Sequence, residues 1–155
     1  MKTAVFAGSF DPFTFAHKDI VERGLALFDK VIVAIGVNSA KKGLMSYDQR
    51  TDGIVDLFIN NERVEVTQFT GLTIDFCRKV GAQYLLRGLR NTNDFEFENA
   101  IAQNNLILAP EIETYFLMAR SGLGHISSTI VRDILQNAGD VSALVPPEII
   151  THVKL

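Results

Sequence analysis

The sequence predicts an α/β fold, a doubly wound, five-stranded parallel sheet in a single domain, on three observations. Five short runs rich in β-branched and aromatic residues alternate with stretches of helical spacing. No two runs are joined by a two-residue hairpin turn, so crossover helices must connect parallel strands. The 155 residues match one ordinary domain, and 47% hydrophobic content supplies its core.

The predicted strands are Thr3–Ala7, Val31–Val37, Arg63–Thr67, Gln83–Leu86 and Ile112–Leu117. After the first strand, Ile20, Val21, Gly24, Leu27 and Phe28 share one helical face, with Lys18, Glu22 and Arg23 elsewhere. The second helix opens at Ser46, where Gln49 three residues on makes a capping box, and runs through Ile54, Leu57 and Phe58. A third, near Leu72–Val80, stops at Gly81, a residue suited to a left-handed helix end. The fourth extends from about Asn93 to Leu108 and halts before Pro110. A fifth follows Ser127 and ends near Gly139, and Pro146–Pro147 starts a last short helix. No repeat, low-complexity stretch or Gly/Ser linker interrupts the chain, so residues 1–155 read as one domain with a helical segment from about residue 140. The architecture expected is Rossmann-like.

Composition narrows the function. The net charge of −3 argues against a general nucleic-acid binder, although a local cluster of Lys and Arg can still hold a phosphate. A single cysteine, Cys77, leaves no disulfide framework and no Cys-rich metal site, and reads as a small buried apolar group. The longest apolar run, Val31–Val37, falls far below the roughly 18–20 residues that span a bilayer. The opening MKTAVFAGSFDP lacks the long apolar region of a secretory signal, so the expected location is the cytoplasm.

In doubly wound sheets ligands bind beyond the carboxyl ends of the strands, which makes the post-strand loops the informative places. The first loop, Gly8-Ser9-Phe10-Asp11-Pro12-Phe13-Thr14-Phe15-Ala16-His17, matches neither GxGxxG nor GxxxxGK[ST]. It puts His17 in the first turn of a helix, where backbone N–H groups and the helix dipole favour an anion. Lys41 and Lys42 follow the second strand, and Arg87-Gly88-Leu89-Arg90 follow the fourth. After the fifth, Ser121-Gly122-Leu123-Gly124-His125 leads into Ile126-Ser127-Ser128-Thr129-Ile130-Val131-Arg132. Singly, each has a structural explanation: a solvated turn, a surface ion pair, a helix cap, or, for Asp94, Glu96 and Glu98, an acidic helix start. Together at one sheet edge they point to a site for a highly anionic ligand, or for two.

These residues carry a family resemblance. GSFDPFTFAH closely resembles the GTFDPxTxGH loop of the phosphopantetheine adenylyltransferases, and ISSTIVR resembles the ISSTxxR signature of the wider nucleotidyltransferase superfamily. SAKKG, RGLR followed by DFEFE, and PEIETYFLM look specifically like the phosphopantetheine enzymes, from Lys2 to Pro146–Pro147. The resemblance implies transfer of AMP from ATP to 4′-phosphopantetheine, giving dephospho-coenzyme A and pyrophosphate. It implies Mg²⁺ carried on the ATP phosphates with no protein-held metal, a homohexamer, and possible feedback by coenzyme A. By position, Ser9 and Phe10 would lie between the substrates, and His17 would stabilise the α-phosphate in the transition state. Lys41 and Arg87 would hold the pantetheine phosphate, and Thr73 would lie beside the pantetheine arm. ATP would contact Gly88, Leu89, Arg90, Glu98 and the stretch Leu123, Gly124, His125, Ile126, Ser127, Ser128 and Thr129.

The chain departs from the family pattern at Ala16 (normally Gly), Phe15, Thr73, and Leu123 and Gly124, where relatives usually carry an aromatic. Two other readings are a relative with another acceptor or nucleotide (a glycerol-phosphate cytidylyltransferase or a nicotinate-mononucleotide adenylyltransferase) and a non-catalytic nucleotide-binding module. Arg87-Gly88-Leu89-Arg90 and Lys41 favour the first reading over another acceptor or nucleotide, and the presence of both His17 and Lys41 argues against the non-catalytic module.

Overall fold

A computed structural model describes residues 1–155. Strands β1 (Thr3–Gly8), β2 (Lys30–Gly36), β3 (Val64–Phe69), β4 (Tyr84–Leu89) and β5 (Glu113–Met118) alternate with helices. The helices are α1 (Phe15–Gly24), α2 (Tyr47–Leu57), α3 (Thr73–Val80), α4 (Thr92–Leu108) and α5 (Ser128–Gln136), followed by α6 (Pro147–Ile150). The strands form one parallel sheet ordered β3-β2-β1-β4-β5.

The two-residue period of the strands divides the core into two layers. Ala4 and Phe6 of β1 join Val31, Val33 and Ile35 of β2 in one layer, closed by Ile20, Ile54, Val131 and Ile149 from α1, α2, α5 and α6. Val5, Ala7, Ile32 and Ala34 point into the other, closed by Ile74, Phe76 and Cys77 of α3. Cys77 is free and fully buried, and that burial pushes its thiol up to about 11. The Ser46–Gln49 capping box and the left-handed Gly81, at φ 71°, are both as predicted.

Three boundaries differ from expectation by three residues or more. β4 does not end at Leu86 but continues to Leu89, so Arg87, Gly88 and Leu89 are strand residues and not a post-strand loop. Pairing with β5 sustains them as far as Leu89↔Met118, which the polar Arg87 and the flexible Gly88 concealed in the sequence. α1 stops at Gly24; Leu27 turns to solvent, while Phe28 still enters the core. α5 stops at Gln136 and not near Gly139, and Ala138, at φ 58°, adopts the left-handed region just beyond it. Gly139 serves close approach instead, since a Cβ there would lie 2.5 Å from the Ile134 side chain.

The register places the site. β1 and β4 pair only at Ala4↔Tyr84 and Val5↔Leu85, whereas β1 follows β2 to Gly8 and β4 follows β5 to Leu89. Towards its carboxyl edge the sheet therefore opens between β1 and β4, where the strand order reverses.

A buried ion pair ties the loops on one side of that opening. The Asp11 carboxylate accepts the N–H groups of Leu44 (2.8 Å) and Met45 (2.9 Å). Arg50 lies 3.4 Å from it and donates to the carbonyls of Met45 (2.8 and 3.0 Å) and Ser9 (3.1 Å). Both side chains are buried. Gly43 leaves the room they need, because a Cβ there would sit 2.0 Å from Arg50 Nη2 and 2.6 Å from Asp11 Oδ2. Removing one partner of such a pair strands a buried charge, so Asp11→Ala is expected to lower unfolding free energy by about 3–5 kcal/mol. Urea unfolding measures it, and an unchanged midpoint would mean that the pair does not hold the loops.

Candidate active site

The opening between β1 and β4 is a cleft of about 310 Å³. It brings together Ser9, Phe10, His17, Arg87, Gly88, Leu89, Arg90, Glu98, Ile126, Ser127, Ser128 and Thr129.

His17 is held from two sides. The Thr14 N–H donates to its Nδ1 at 2.9 Å, while the His17 N–H donates to Thr14 Oγ1 at 3.4 Å, a capping box closed by an imidazole. With Nδ1 an acceptor, the ring proton sits on Nε2, so the neutral ring presents a donor. Phe10 and Phe13 pack against the ring at centroid distances of 5.1 and 5.2 Å. The ring keeps some solvent contact through the cleft, but these neighbours withhold most of its hydration. Burial, then the nearby Arg87 and Arg90 charges, lower its pKa from the ordinary 6.5 to about 3.

Phe10 is the strained residue of the loop, with φ 48° on a buried side chain. Its ring lies 5.2 Å from both Phe6 and Phe13, and Gly8 admits it: a Cβ at Gly8 would meet Phe10 Cζ at 2.9 Å. Ala16 lies inside α1 and outside the positive-φ set, so the methyl group carries no conformational cost.

Arg87 reaches across the opening. Its Nη1 donates to the Ala7 carbonyl of β1, and Glu98 of α4 receives Nε at 2.9 Å and Nη2 at 2.6 Å, a bidentate pair. Glu98 is thus a partner of Arg87 and not merely an exposed helix start. Arg90 is held by Asp94, with Nε 3.0 Å from Oδ2, and this pairing and the Arg90 N–H keep the Asp94 carboxyl below its usual range despite partial burial. Ser127 caps α5, and Ser128 Oγ donates to the Pro12 carbonyl at 2.8 Å, docking the α5 N-terminus onto the first loop.

The remaining expected residues line adjoining cavities. Lys41 and Lys42 border one of about 860 Å³ that shares Ser9 with the central cleft. Thr73 lies in one of about 210 Å³ that shares Arg87 and Glu98. Leu123 and His125 border a fourth beside α1 that shares Ile126. Gly124 lines none of them; a Cβ there would lie 4.0 Å from the Arg90 carbonyl. The site for one or two anionic ligands expected at this sheet edge is therefore a set of adjoining cavities that share lining residues, with Lys41 in one and Arg90 in another.

Two contributors lay outside the sequence-based set. Arg132, the last residue of ISSTIVR, donates to the Asp11 carbonyl (2.8 Å) and Thr129 Oγ1 (3.2 Å) and borders the Lys41 cavity. Tyr47 brackets Asn38, donating to its carbonyl at 2.9 Å and accepting its N–H at 3.0 Å, and lies under Arg50 at 4.4 Å. Spacing gives no sign of Tyr47 or Arg50, because each reads as an ordinary surface residue of α2; SSTxxR was the available signal for Arg132. No three His, Cys, Asp or Glu side chains converge as metal ligands.

Residues 5–134 match the cytidylyltransferase-like family. The chain is 51% identical over 146 residues to a phosphopantetheine adenylyltransferase of Flavobacterium psychrophilum, covering 94% of this chain and 96% of that protein. It is 49% identical to the Cytophaga hutchinsonii protein of that name (96% and 99% covered) and 45% identical to the Coxiella burnetii one (97% and 94%). A solved structure titled as a putative nicotinate-nucleotide adenylyltransferase from Vibrio parahaemolyticus aligns with a TM-score of 0.70 over 99% of the chain. At 22% identity that likeness concerns the fold.

The His17 environment has a signed consequence. Between the unfolded value near 6.5 and the folded value of about 3, the unfolded chain binds the extra proton. Stability is therefore full above pH 6.5 and declines as pH falls through that window. His17→Gln is expected to remove this component of the pH dependence in chemical unfolding. Ring nitrogen shifts of His17 in the unliganded protein should report the neutral Nε2–H form from pH 8 to 5; a titration near 6.5 would contradict the burial.

Proposed function

The chain belongs to the phosphopantetheine adenylyltransferase family of cytidylyltransferase-like nucleotidyltransferases, and from that premise we propose how its cleft transfers AMP from ATP to 4′-phosphopantetheine. The products are dephospho-coenzyme A and pyrophosphate, in the penultimate step of coenzyme A biosynthesis. The observation that supports this best is the meeting of a neutral His17 donor, Arg87, Arg90 and the α5 N-terminus in one cleft.

The acceptor is a phosphate monoester with charge about −1.5 to −2 at neutral pH, so it is already a nucleophile and needs no general base. The barrier is the approach of two anions: at 4 Å and an effective dielectric near 20, each pair of unit charges costs about 4 kcal/mol. Lys41 and Arg87 hold the acceptor phosphate, and Arg90 with the N–H groups of Ser127, Ser128 and Thr129 holds the ATP phosphates. Ser9, shared by two compartments, stands between the reactants, and the Phe10 ring fixes the plane of His17. Gly88 and Leu89 give the nucleotide a close approach to β4, with Leu123, Gly124, His125 and Ile126 towards the base. Glu98 acts on the nucleotide side through Arg87, whose guanidinium it orients. Thr73 borders the pantetheine arm.

His17 Nε2–H donates to the α-phosphate as its charge grows; the Thr14 N–H on Nδ1 fixes that tautomer, and the lowered pKa keeps the unliganded ring neutral. Arg90 and the α5 N-terminus would hold the ATP phosphates together with a Mg²⁺ bound through them, which would supply neutralising charge for the leaving pyrophosphate.

We read the full chain as one catalytic domain that works in the cytoplasm; no helix is long and apolar enough to cross a membrane. Exposed Phe95, Phe97, Ile107 and Leu108 on α4, with Tyr115 and Met118 on the edge strand β5, support self-association, as a hexamer by family likeness. Coenzyme A, which shares the pantetheine arm, is the expected feedback ligand.

Incubation with ATP, Mg²⁺ and 4′-phosphopantetheine should yield dephospho-coenzyme A by mass, with no adenylylated protein; glycerol phosphate with CTP, or nicotinate mononucleotide with ATP, should yield nothing. His17→Ala is expected to reduce kcat about 10²–10³-fold, the loss of one transition-state donor, and near-normal turnover would remove His17 from the mechanism. Lys41→Ala is expected to raise KM for 4′-phosphopantetheine more than for ATP; equal rises would contradict its placement.

A further inference from the structure

The fifteen Lys and Arg side chains fall into two populations. Eight are in ion pairs with carboxylates, among them Arg50, Arg87 and Arg90. Of the seven without such a partner, four border one cavity: Lys41, Lys42, Arg132 and Lys154. The only acidic side chain lining that cavity, Asp11, is engaged by Arg50 and the amides of Leu44 and Met45. Among side chains, cations without a carboxylate partner are thus concentrated at one place.

Lys154 comes from the segment after α6, far in sequence from the other three, and that segment is anchored. His152 Nε2 lies 2.6 Å from Asp56 Oδ2 on α2, and Ile149 of α6 is fully buried. Gly53 of α2 lets α6 approach closely: a Cβ there would lie 3.2 Å from Ile149 Cδ1 and 3.5 Å from His152 Cδ2. The segment is docked on the helix whose first turns also fix the Lys41 loop through Tyr47 and Arg50.

We propose that Lys154 is a further binding residue for the acceptor, its ammonium extending, on the Lys41 side, the cationic surface that meets the phosphate monoester held between Lys41 and Arg87. This rests on the adenylyltransferase reading above. A lone exposed lysine is weak, but four uncompensated cations around one cavity raise the local anion concentration and hold a dianion better than Lys41 alone. Lys154 does not line the central cleft, where the ATP phosphates are placed at the α5 N-terminus.

Calorimetric titration of wild type, Lys154→Ala and Lys154→Arg with 4′-phosphopantetheine, and with pantetheine lacking the phosphate, tests this. The wild type is expected to prefer the phosphorylated ligand, and Lys154→Ala to shrink that preference about five- to tenfold, with pantetheine itself bound unchanged. Lys154→Arg should restore most of it, and the preference of Lys154→Ala should depend less on salt. An undiminished preference, or equal weakening for both ligands, overturns the assignment; thermal melting of each variant identifies a folding loss, which arginine would then fail to explain as charge. A wild type that makes dephospho-coenzyme A alongside an undiminished preference sinks only the Lys154 role. A wild type that makes none sinks the functional reading beneath it.

Discussion

Between β1 and β4 only two residue pairs are in register, and beyond Val5 the strands part while each stays bound to its other neighbour. The gap is stabilised by Arg87, whose guanidinium runs from β4 to the Ala7 carbonyl of β1 and to Glu98 on α4. One side chain therefore substitutes for missing ladder bonds and places a cation at the floor of the cleft. His17, the α5 N-terminus and Arg90 are arranged around that opening, and the positions of the other cavities follow from it.

The electrostatics of the cleft depend on which groups are charged before a ligand arrives. Arg87 and Arg90 are held by Glu98 and Asp94 in fixed orientations, so their charge is preorganised and partly compensated. Between them a protonated imidazole would be a third cation in a poorly hydrated place, and His17 stays neutral. Neutrality suits the task. Thr14 fixes the tautomer, and the ring offers one directed N–H without a labile charge. The strain at Phe10 belongs to the same arrangement, since the left-handed turn brings its ring against His17.

Much of this was legible in the sequence. The α/β alternation, both predicted caps and the carboxyl-edge loops come from periodicity, Gly and Ser positions, which are local properties. Strand ends were less legible, because β4 runs through Arg87 and Gly88 only by pairing with β5, an interaction no local window contains. The motifs located His17, Arg87 and Arg90, but the division into compartments, with Lys41 apart from Arg90, follows from the sheet geometry. Arg50 was the least legible. Its burial depends on Asp11, thirty-nine positions earlier, and on space left by Gly43, and neither appears as a pattern.

The partition of cations has its own logic. Arginines at the floor are paired and rigid, whereas Lys41, Lys42 and Lys154 at the rim are exposed and have no carboxylate to release. A fixed guanidinium loses little entropy when it meets a phosphate, which favours geometry at the reacting centre. A free ammonium offers three rotatable donors and gathers anions over a wider range of positions. On the roles proposed above, two reactants that repel each other are served by both: a soft rim to draw the acceptor in against its partner's charge, and a stiff floor to hold the phosphates in line. The buried Asp11–Arg50 pair joins these layers, because it binds the rim loop at Leu44 and Met45 to the floor loop at Ser9.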